Sequence, residues 1–116
     1  MTWVRQWRIL DMKFIETPIF TRALKNLLTD EEYRTLQLVL LLRPEQGPLI
    51  KGGGGLRKIR WGGKGRGKRG GVRLIYFWHL EDLTFYMLYI YPKSSREDLS
   101  SEQVKILSRL VSEELK

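Results

Sequence analysis

The sequence contains no cysteine and a single histidine, His79. It therefore cannot form a disulfide, use a thiolate nucleophile or assemble a zinc cluster from Cys and His ligands. No apolar run approaches the roughly 20 residues that a membrane helix needs, and the N-terminus has no apolar segment typical of a secretory signal. These absences predict a cytoplasmic protein with no cofactor, no metal and no membrane partner.

Positive charge is abundant but confined to one stretch. The chain has 21 Lys and Arg residues against 13 Asp and Glu, and its formal excess of +8 lies entirely between residues 57 and 73. Ten of the eleven glycines lie between residues 52 and 71. Focused positive charge is typical of a protein that binds a polyanion such as RNA, and glycine lets backbone N–H groups approach a phosphate closely.

Two nucleotide-binding signatures occur in this stretch, but their context excludes both. Gly65, Gly67 and Gly70 have the spacing of a dinucleotide fingerprint, and 62–68 nearly forms a P-loop. A strand rather than a helix is predicted to follow, and Arg69 replaces the hydroxyl residue that would hold magnesium. The acidic residues cluster only where helices are about to begin. The sequence therefore supports neither a nucleotide-binding enzyme nor a paired-carboxylate enzyme.

The 116 residues fit one domain with three helices and four strands. Helices are predicted to begin after Thr17, Thr29 and Ser100, which are followed by Pro18, Glu32 and Gln103 in the patterns of helix caps. Alternating or continuous apolar residues predict strands at Met12–Glu16, 56–61, 72–80 and 84–91. The order β-α-α-β-β-β-α predicts an α+β fold in which helices pack on one face of a small antiparallel sheet.

Residues 1–11 fit this plan poorly. Trp3, Trp7 and Leu10 could line one face of a helix, but the strand that completes the sheet begins only at Met12. We therefore predict an N-terminal extension at 1–11 that is dispensable, and a single domain at 12–116.

The chemistry available to this chain is cationic and phenolic. Lys58 and Arg60 share one face of a strand, Arg73 lies on the next strand, and Lys93 follows the last strand beside Tyr91. If these ends converge, the site could bind RNA without chemistry. It could instead cleave RNA through its own 2′-hydroxyl, because Arg and Lys stabilise the charge of the phosphorane. A lysine crowded by other cations could serve as the base. Spacing alone leaves both interpretations open.

Several segments resemble the RelE/HigB family of bacterial type II toxins, close to its HigB branch. They are LRKIR at 56–60, GRGKRGGVRLIY at 65–76, FYMLYIY at 85–91, Lys93 and DLS at 98–100. The resemblance extends from Met12 to about Leu115. It implies a RelE-like, microbial-ribonuclease-type fold and an mRNA interferase that cuts mRNA in the ribosomal A site. It also implies a cognate antitoxin as partner.

The resemblance also assigns roles to residues. It implies that Lys58, Arg60, Arg73 and Lys93 are the catalytic and phosphate-binding set, and Tyr91 is our candidate for the acid because it lies nearby. The cations that we expect to bind RNA or the ribosome are Arg57, Lys64, Arg66, Lys68 and Arg69. The chain departs from the family in reading Pro-Lys-Ser-Ser at 92–95 and in lacking a tyrosine after Tyr91.

Two other functions remain as alternatives. A ParE-like inhibitor of DNA gyrase would share the fold but would not need a cationic pocket. A non-catalytic module that binds RNA or the ribosome would need the charge but no acid or base. We predict a ribosome-dependent endoribonuclease toxin, with mRNA and the ribosome as its targets.

Overall fold

The computed structural model describes residues 3–62 and 71–115 of the chain. The strands found there are β1 (Arg5–Ile9), β2 (Met12–Glu16), β3 (Arg57–Trp61), β4 (Val72–His79) and β5 (Thr84–Pro92). The helices are α1 (Pro18–Leu27), α2 (Asp30–Leu42) and α3 (Ser101–Glu114), and a single 3₁₀ turn at Leu80–Asp82 joins β4 to β5. The predicted α+β class is confirmed.

All three helices begin where their capping residues predict. The Thr17 hydroxyl accepts a hydrogen bond from the backbone N–H of Phe20 at 3.0 Å, with proline in the first turn of α1. Thr29 forms a reciprocal capping box with Glu32, and Ser100 forms one with Gln103. These side chains satisfy backbone donors that a helix N-terminus leaves unpaired.

The five strands form one sheet in the order β1-β2-β5-β4-β3. β1–β2, β5–β4 and β4–β3 are antiparallel pairs, but β2 and β5 run parallel. The prediction of an antiparallel sheet is therefore wrong in one pairing, and the sheet is mixed. Two helices and the β3–β4 hairpin separate β2 from β5 along the chain, so no local signal reveals this pairing.

The helices cover both faces of the sheet. Leu74 and Tyr76 of β4 pack into a core with α1 and α2, whereas Ile75 between them packs into a second core with Leu88 of β5 and α3. The prediction that all helices lie on one face is therefore wrong for α3. Strands that are apolar on both faces must be covered on both faces, because neither face can be left to solvent.

The N-terminal segment adds a strand that the sequence analysis does not predict. β1 pairs with β2 over all five of its residues and forms one edge of the sheet. A left-handed residue, Leu10 at φ 56°, lies in the tight turn between the two strands. Trp7 contacts the ring of Tyr33 edge-on, with 6.2 Å between ring centroids. The sheet therefore extends beyond β2, while the domain boundary at Met12 stays a prediction.

Glu16 is a fully buried carboxylate at the end of β2. Hydrogen bonds reach its side chain from Arg5 at 2.8 and 3.2 Å, Trp7 at 2.8 Å, Thr21 at 2.6 Å and Tyr33 at 2.6 Å. Burial and the neighbouring carboxylate raise the pKa of Tyr33 well above its usual value, so the phenol stays protonated and continues to donate. β1 thus supplies the only guanidinium among the described contacts of this buried charge.

None of the helices among the described residues is long and apolar enough to cross a membrane.

Candidate active site

Three of the predicted site residues form one row across neighbouring strands. Arg60 of β3 is in register with Arg73 of β4, which is in register with Tyr91 of β5. Lys58 lies two residues before Arg60, so strand alternation places it on the same face. This is the α3 face, because Ile59 between them packs into the core of α1 and α2. We refer to Lys58, Arg60 and Arg73 as the cationic cluster.

The cationic cluster surrounds the carboxylate of Glu97, which lies on the segment between β5 and α3. The Arg73 guanidinium binds it with both prongs, Nε to Oε2 at 2.7 Å and Nη2 to Oε1 at 3.0 Å. Lys58 Nζ lies 3.6 Å from Glu97 Oε2, and Arg60 Nη2 lies 4.0 Å from the same atom. The Tyr91 hydroxyl donates to the backbone carbonyl of Glu97 at 3.0 Å. Four predicted residues therefore meet at one anionic residue.

The charges of this site shift the proton affinities of its members. The hydrogen bond from Arg73 lowers the pKa of Glu97 to about 2, and the nearby charges of Arg73, Arg60 and Lys58 add to that effect. The same hydrogen bond raises the pKa of Arg73. Burial raises the pKa of Tyr91 to about 12, with Asp98 and Glu97 contributing. Near neutral pH the site therefore contains an ionised Glu97 and a protonated Tyr91.

Two further predicted residues, Lys93 and Arg57, do not contact Glu97 in the described part of the chain. The side chain of Lys93 is exposed, and its ammonium makes no hydrogen bond or ion pair with the described part of the chain. Arg57 lies on the opposite face of β3, where its Nη1 donates to the carbonyls of Glu45 at 2.9 Å and Gly47 at 2.8 Å. Arg57 therefore stabilises the turn that contains Glu45 and Gly47. Four predicted RNA-binding residues lie outside the described residues: Lys64, Arg66, Lys68 and Arg69.

A cavity of about 400 Å³ adjoins the cluster at Lys58. Its polar lining residues include Lys58, whose ammonium pairs with the Asp98 carboxylate, and Ser101 at the start of α3. The apolar lining comes from Pro48, Leu49, Ile50, Ile75, Leu99 and Val104. The site thus combines the charged side chains of Lys58 and Asp98 with an adjoining, mostly apolar cavity large enough for a nucleobase.

Glu97 and Asp98 are members of the site that were not predicted from the sequence. Both acids lie just before helix α3, where negative charge is favourable for the helix alone. Position along the chain gives no signal for them, because the first acids after the strands that carry the cationic cluster are Glu81 and Asp82. Among residues 3–62 and 71–115, no group of three or more His, Cys, Asp and Glu side chains could hold a metal ion.

The chain matches one protein-family model over nearly its whole length. The model describes the RelE toxin of the RelE/RelB toxin–antitoxin system, and the match covers residues 12–116. It begins at the first residue of β2 and includes every residue of the cationic cluster.

Proposed function

Because the chain belongs to the RelE toxin family and is thus the toxin of a toxin–antitoxin system with an antitoxin as partner, we propose that it is a ribosome-dependent endoribonuclease. In this proposal it cuts mRNA by attack of the RNA 2′-hydroxyl on the neighbouring phosphate and so inhibits translation. The HigB-like branch remains our prediction within the family.

One observation carries the proposal: the cationic cluster already holds an anion. The two oxygens of Glu97 are bound by a guanidinium fork and face two further cations. Guanidinium forks bind carboxylate and phosphate in the same bidentate way. The cationic cluster is therefore suited to bind the non-bridging oxygens of a phosphodiester.

Each group then has a distinct role in cleavage. The cationic cluster stabilises the negative charge that develops on the phosphorane, and such preorganised electrostatic contacts are usually the largest catalytic contribution. Tyr91 is protonated near neutral pH and donates to the leaving 5′-oxygen. Lys93 contacts a phosphate of the RNA, and the cations of the 64–69 stretch bind RNA or ribosome backbone. Arg57 keeps its contacts with the carbonyls of Glu45 and Gly47 on the opposite face of β3. The mostly apolar cavity beside Lys58 receives a neighbouring base.

The proposal is tested by inducing the protein in bacteria and mapping mRNA 5′ ends, with Arg73→Ala as the matched control. Cuts in phase with codons that disappear in the variant are the expected result. A DNA-damage response without mRNA cuts would favour the gyrase inhibitor. Growth arrest with neither would favour the non-catalytic binding module.

A further inference from the structure

The cleavage proposed above requires a group that accepts the proton of the 2′-hydroxyl, and neither the cationic cluster nor Tyr91 is well suited to supply one. Guanidinium groups cannot accept a proton. Tyr91 is protonated, because its pKa is raised to about 12. The Lys58 ammonium pairs with the carboxylates of Asp98 and Glu97, so its surroundings are not those of a lysine crowded by cations alone.

We propose that Glu97 is the general base of RNA cleavage, an inference that rests on the proposed function. Its carboxylate contacts Arg73 and lies within 4.0 Å of Lys58 and Arg60, the cations expected to bind the scissile phosphate. Its side chain is 45% exposed, so substrate can reach it. The 2′-hydroxyl adjoins the scissile phosphate, which places it within hydrogen-bond reach of a carboxylate among these cations.

Binding of RNA would raise the basicity of this carboxylate. In the free protein the Arg73 hydrogen bond lowers the pKa of Glu97 to about 2. A bound phosphate competes for Arg73 and brings a second negative charge, and both changes raise the pKa of a carboxyl group. The charged groups that face Glu97 are Arg73, Lys58 and Arg60, with Asp98 and Tyr91 beside it.

The chemical step balances with these groups alone. Glu97 takes the proton from the 2′-hydroxyl while the 2′-oxygen forms a bond to phosphorus. The bond from phosphorus to the 5′-oxygen breaks, and that oxygen takes a proton from the Tyr91 hydroxyl. The products are a 2′,3′-cyclic phosphate and a 5′-hydroxyl. Glu97 then releases its proton to solvent, and Tyr91 regains one.

The test is single-turnover cleavage of a ribosome-bound message by wild type, Glu97→Gln and Glu97→Asp. General acid–base groups typically contribute about 10²–10⁴-fold in rate, so we expect a loss of that size for Glu97→Gln and partial recovery with the shorter carboxylate. Glu113→Gln, which removes an exposed acid at the far end of α3, is the matched control and should cleave like wild type. Melting temperatures verify that each variant is folded.

A second measurement separates a base from a residue that only positions others. A message with a 2′-O-methyl group at the cleavage site cannot be cleaved, so it measures binding alone. The Glu97→Gln variant should bind this message at least as tightly as wild type, because the side chain at position 97 no longer competes with the phosphate for Arg73 as an anion. The wild-type rate should rise with pH as the base becomes deprotonated, and this rise should vanish in Glu97→Gln.

Three results would overturn the inference. If the Glu97→Gln variant cleaves as fast as wild type, or faster, then Glu97 only occupies the position at which the cationic cluster binds an anion. A variant in which binding fails together with cleavage would show that it only holds Arg73 in place. If wild type itself leaves ribosome-bound message intact, the proposed function fails first, and the base assignment fails with it.

Discussion

At the scale of single residues, Arg73 has the central position in the site. It lies between Arg60 and Tyr91 in register, its side chain is only 6% exposed, and both prongs of its fork are engaged by Glu97. A guanidinium held in this way needs little reorganisation when negative charge develops beside it. Such preorganisation is what makes electrostatic stabilisation effective in catalysis.

Replacing Arg73 should therefore damage catalysis severely. We expect Arg73→Ala to lower the cleavage rate about 10²–10³-fold, the usual cost of removing one such donor. Arg73→Lys keeps the charge but not the fork, so its rate should fall between wild type and Arg73→Ala. Cleavage rates on programmed ribosomes measure the effect. A melting curve verifies that each variant stays folded after this buried side chain is replaced. Near wild-type cleavage by Arg73→Ala would refute the site assignment.

The sequence predicts some of these residues much better than others. Strand alternation alone places Lys58 and Arg60 on one face, and the hairpin brings Arg73 beside them. Glu97 has no such periodicity to reveal it, because its segment is neither helix nor strand. Its position before α3 is explained equally well by the helix dipole, so only the folded chain reveals that it enters the site.

At the scale of elements, the glycines at 52–55 serve the backbone of the turn before β3. Gly52, Gly54 and Gly55 have φ angles of +73°, +64° and +106°, which residues with a side chain rarely adopt. A Cβ atom built on Gly55 would lie 2.6 Å from the ring of Phe77, whereas one on Gly52 would meet nothing within 4 Å. These glycines are therefore explained by conformation and close packing.

Alanine at these two positions should separate the two effects. Gly52→Ala should lower the free energy of unfolding by about 1–2 kcal/mol, the cost of a left-handed residue with a side chain. Gly55→Ala should lower it by at least about 1 kcal/mol more, because overpacking against Phe77 adds to the backbone cost. Denaturant unfolding of both variants measures the difference. Equal effects of the two substitutions would contradict the close approach of Phe77.

The basic stretch at 64–69 has a prediction of its own. Replacing Lys64, Arg66, Lys68 and Arg69 with glutamine should weaken ribosome binding and flatten its salt dependence. The log–log slope should fall by roughly 0.7–0.9 for each phosphate that the protein no longer neutralises. Four exposed helix cations, Arg22, Lys25, Arg34 and Lys105, provide a control with the same change in net charge. A slope unchanged from wild type would refute the role of this stretch.

The order of the elements is more predictable than their arrangement. Capping residues locate the starts of all three helices, because each cap satisfies donors within three residues along the chain. The parallel pairing of β2 with β5 and the position of α3 on the opposite face depend on interactions between distant segments. The apolar character of β4 and β5 on both faces is the one sequence feature that requires cover on both sides.

At the scale of the whole molecule, the N-terminal segment is joined to the domain through a buried charge. Arg5 and Trp7 of β1 donate to Glu16, while Thr21 and Tyr33 of the helices donate to it from the other side. Whether residues 1–11 are dispensable, as the sequence analysis predicts, depends on how much Glu16 needs these two β1 partners.

A chain that begins at Met12 tests this directly. Removing the cationic partner of a buried ion pair costs about 3–5 kcal/mol, and the cost here should lie at or below the low end because water can reach Glu16 from the opened edge. We expect a melting temperature lower by roughly 10–20 °C, since about 1 kcal/mol shifts it by roughly 4–8 °C in a domain near this size. Glu16→Gln in the shortened chain should restore part of the stability. A melting temperature within a few degrees of the full chain would instead support the boundary at Met12.

The most direct test of the central claim is cleavage by the purified protein of a defined message, free in solution and bound in ribosomes. We predict cuts only in the ribosome-bound message, within the A-site codon, leaving a 2′,3′-cyclic phosphate and a 5′-hydroxyl, with no such cuts by Arg73→Ala. A ribosome-bound message that stays intact, or equal cleavage of free RNA, would contradict a ribosome-dependent endoribonuclease built on this cationic cluster.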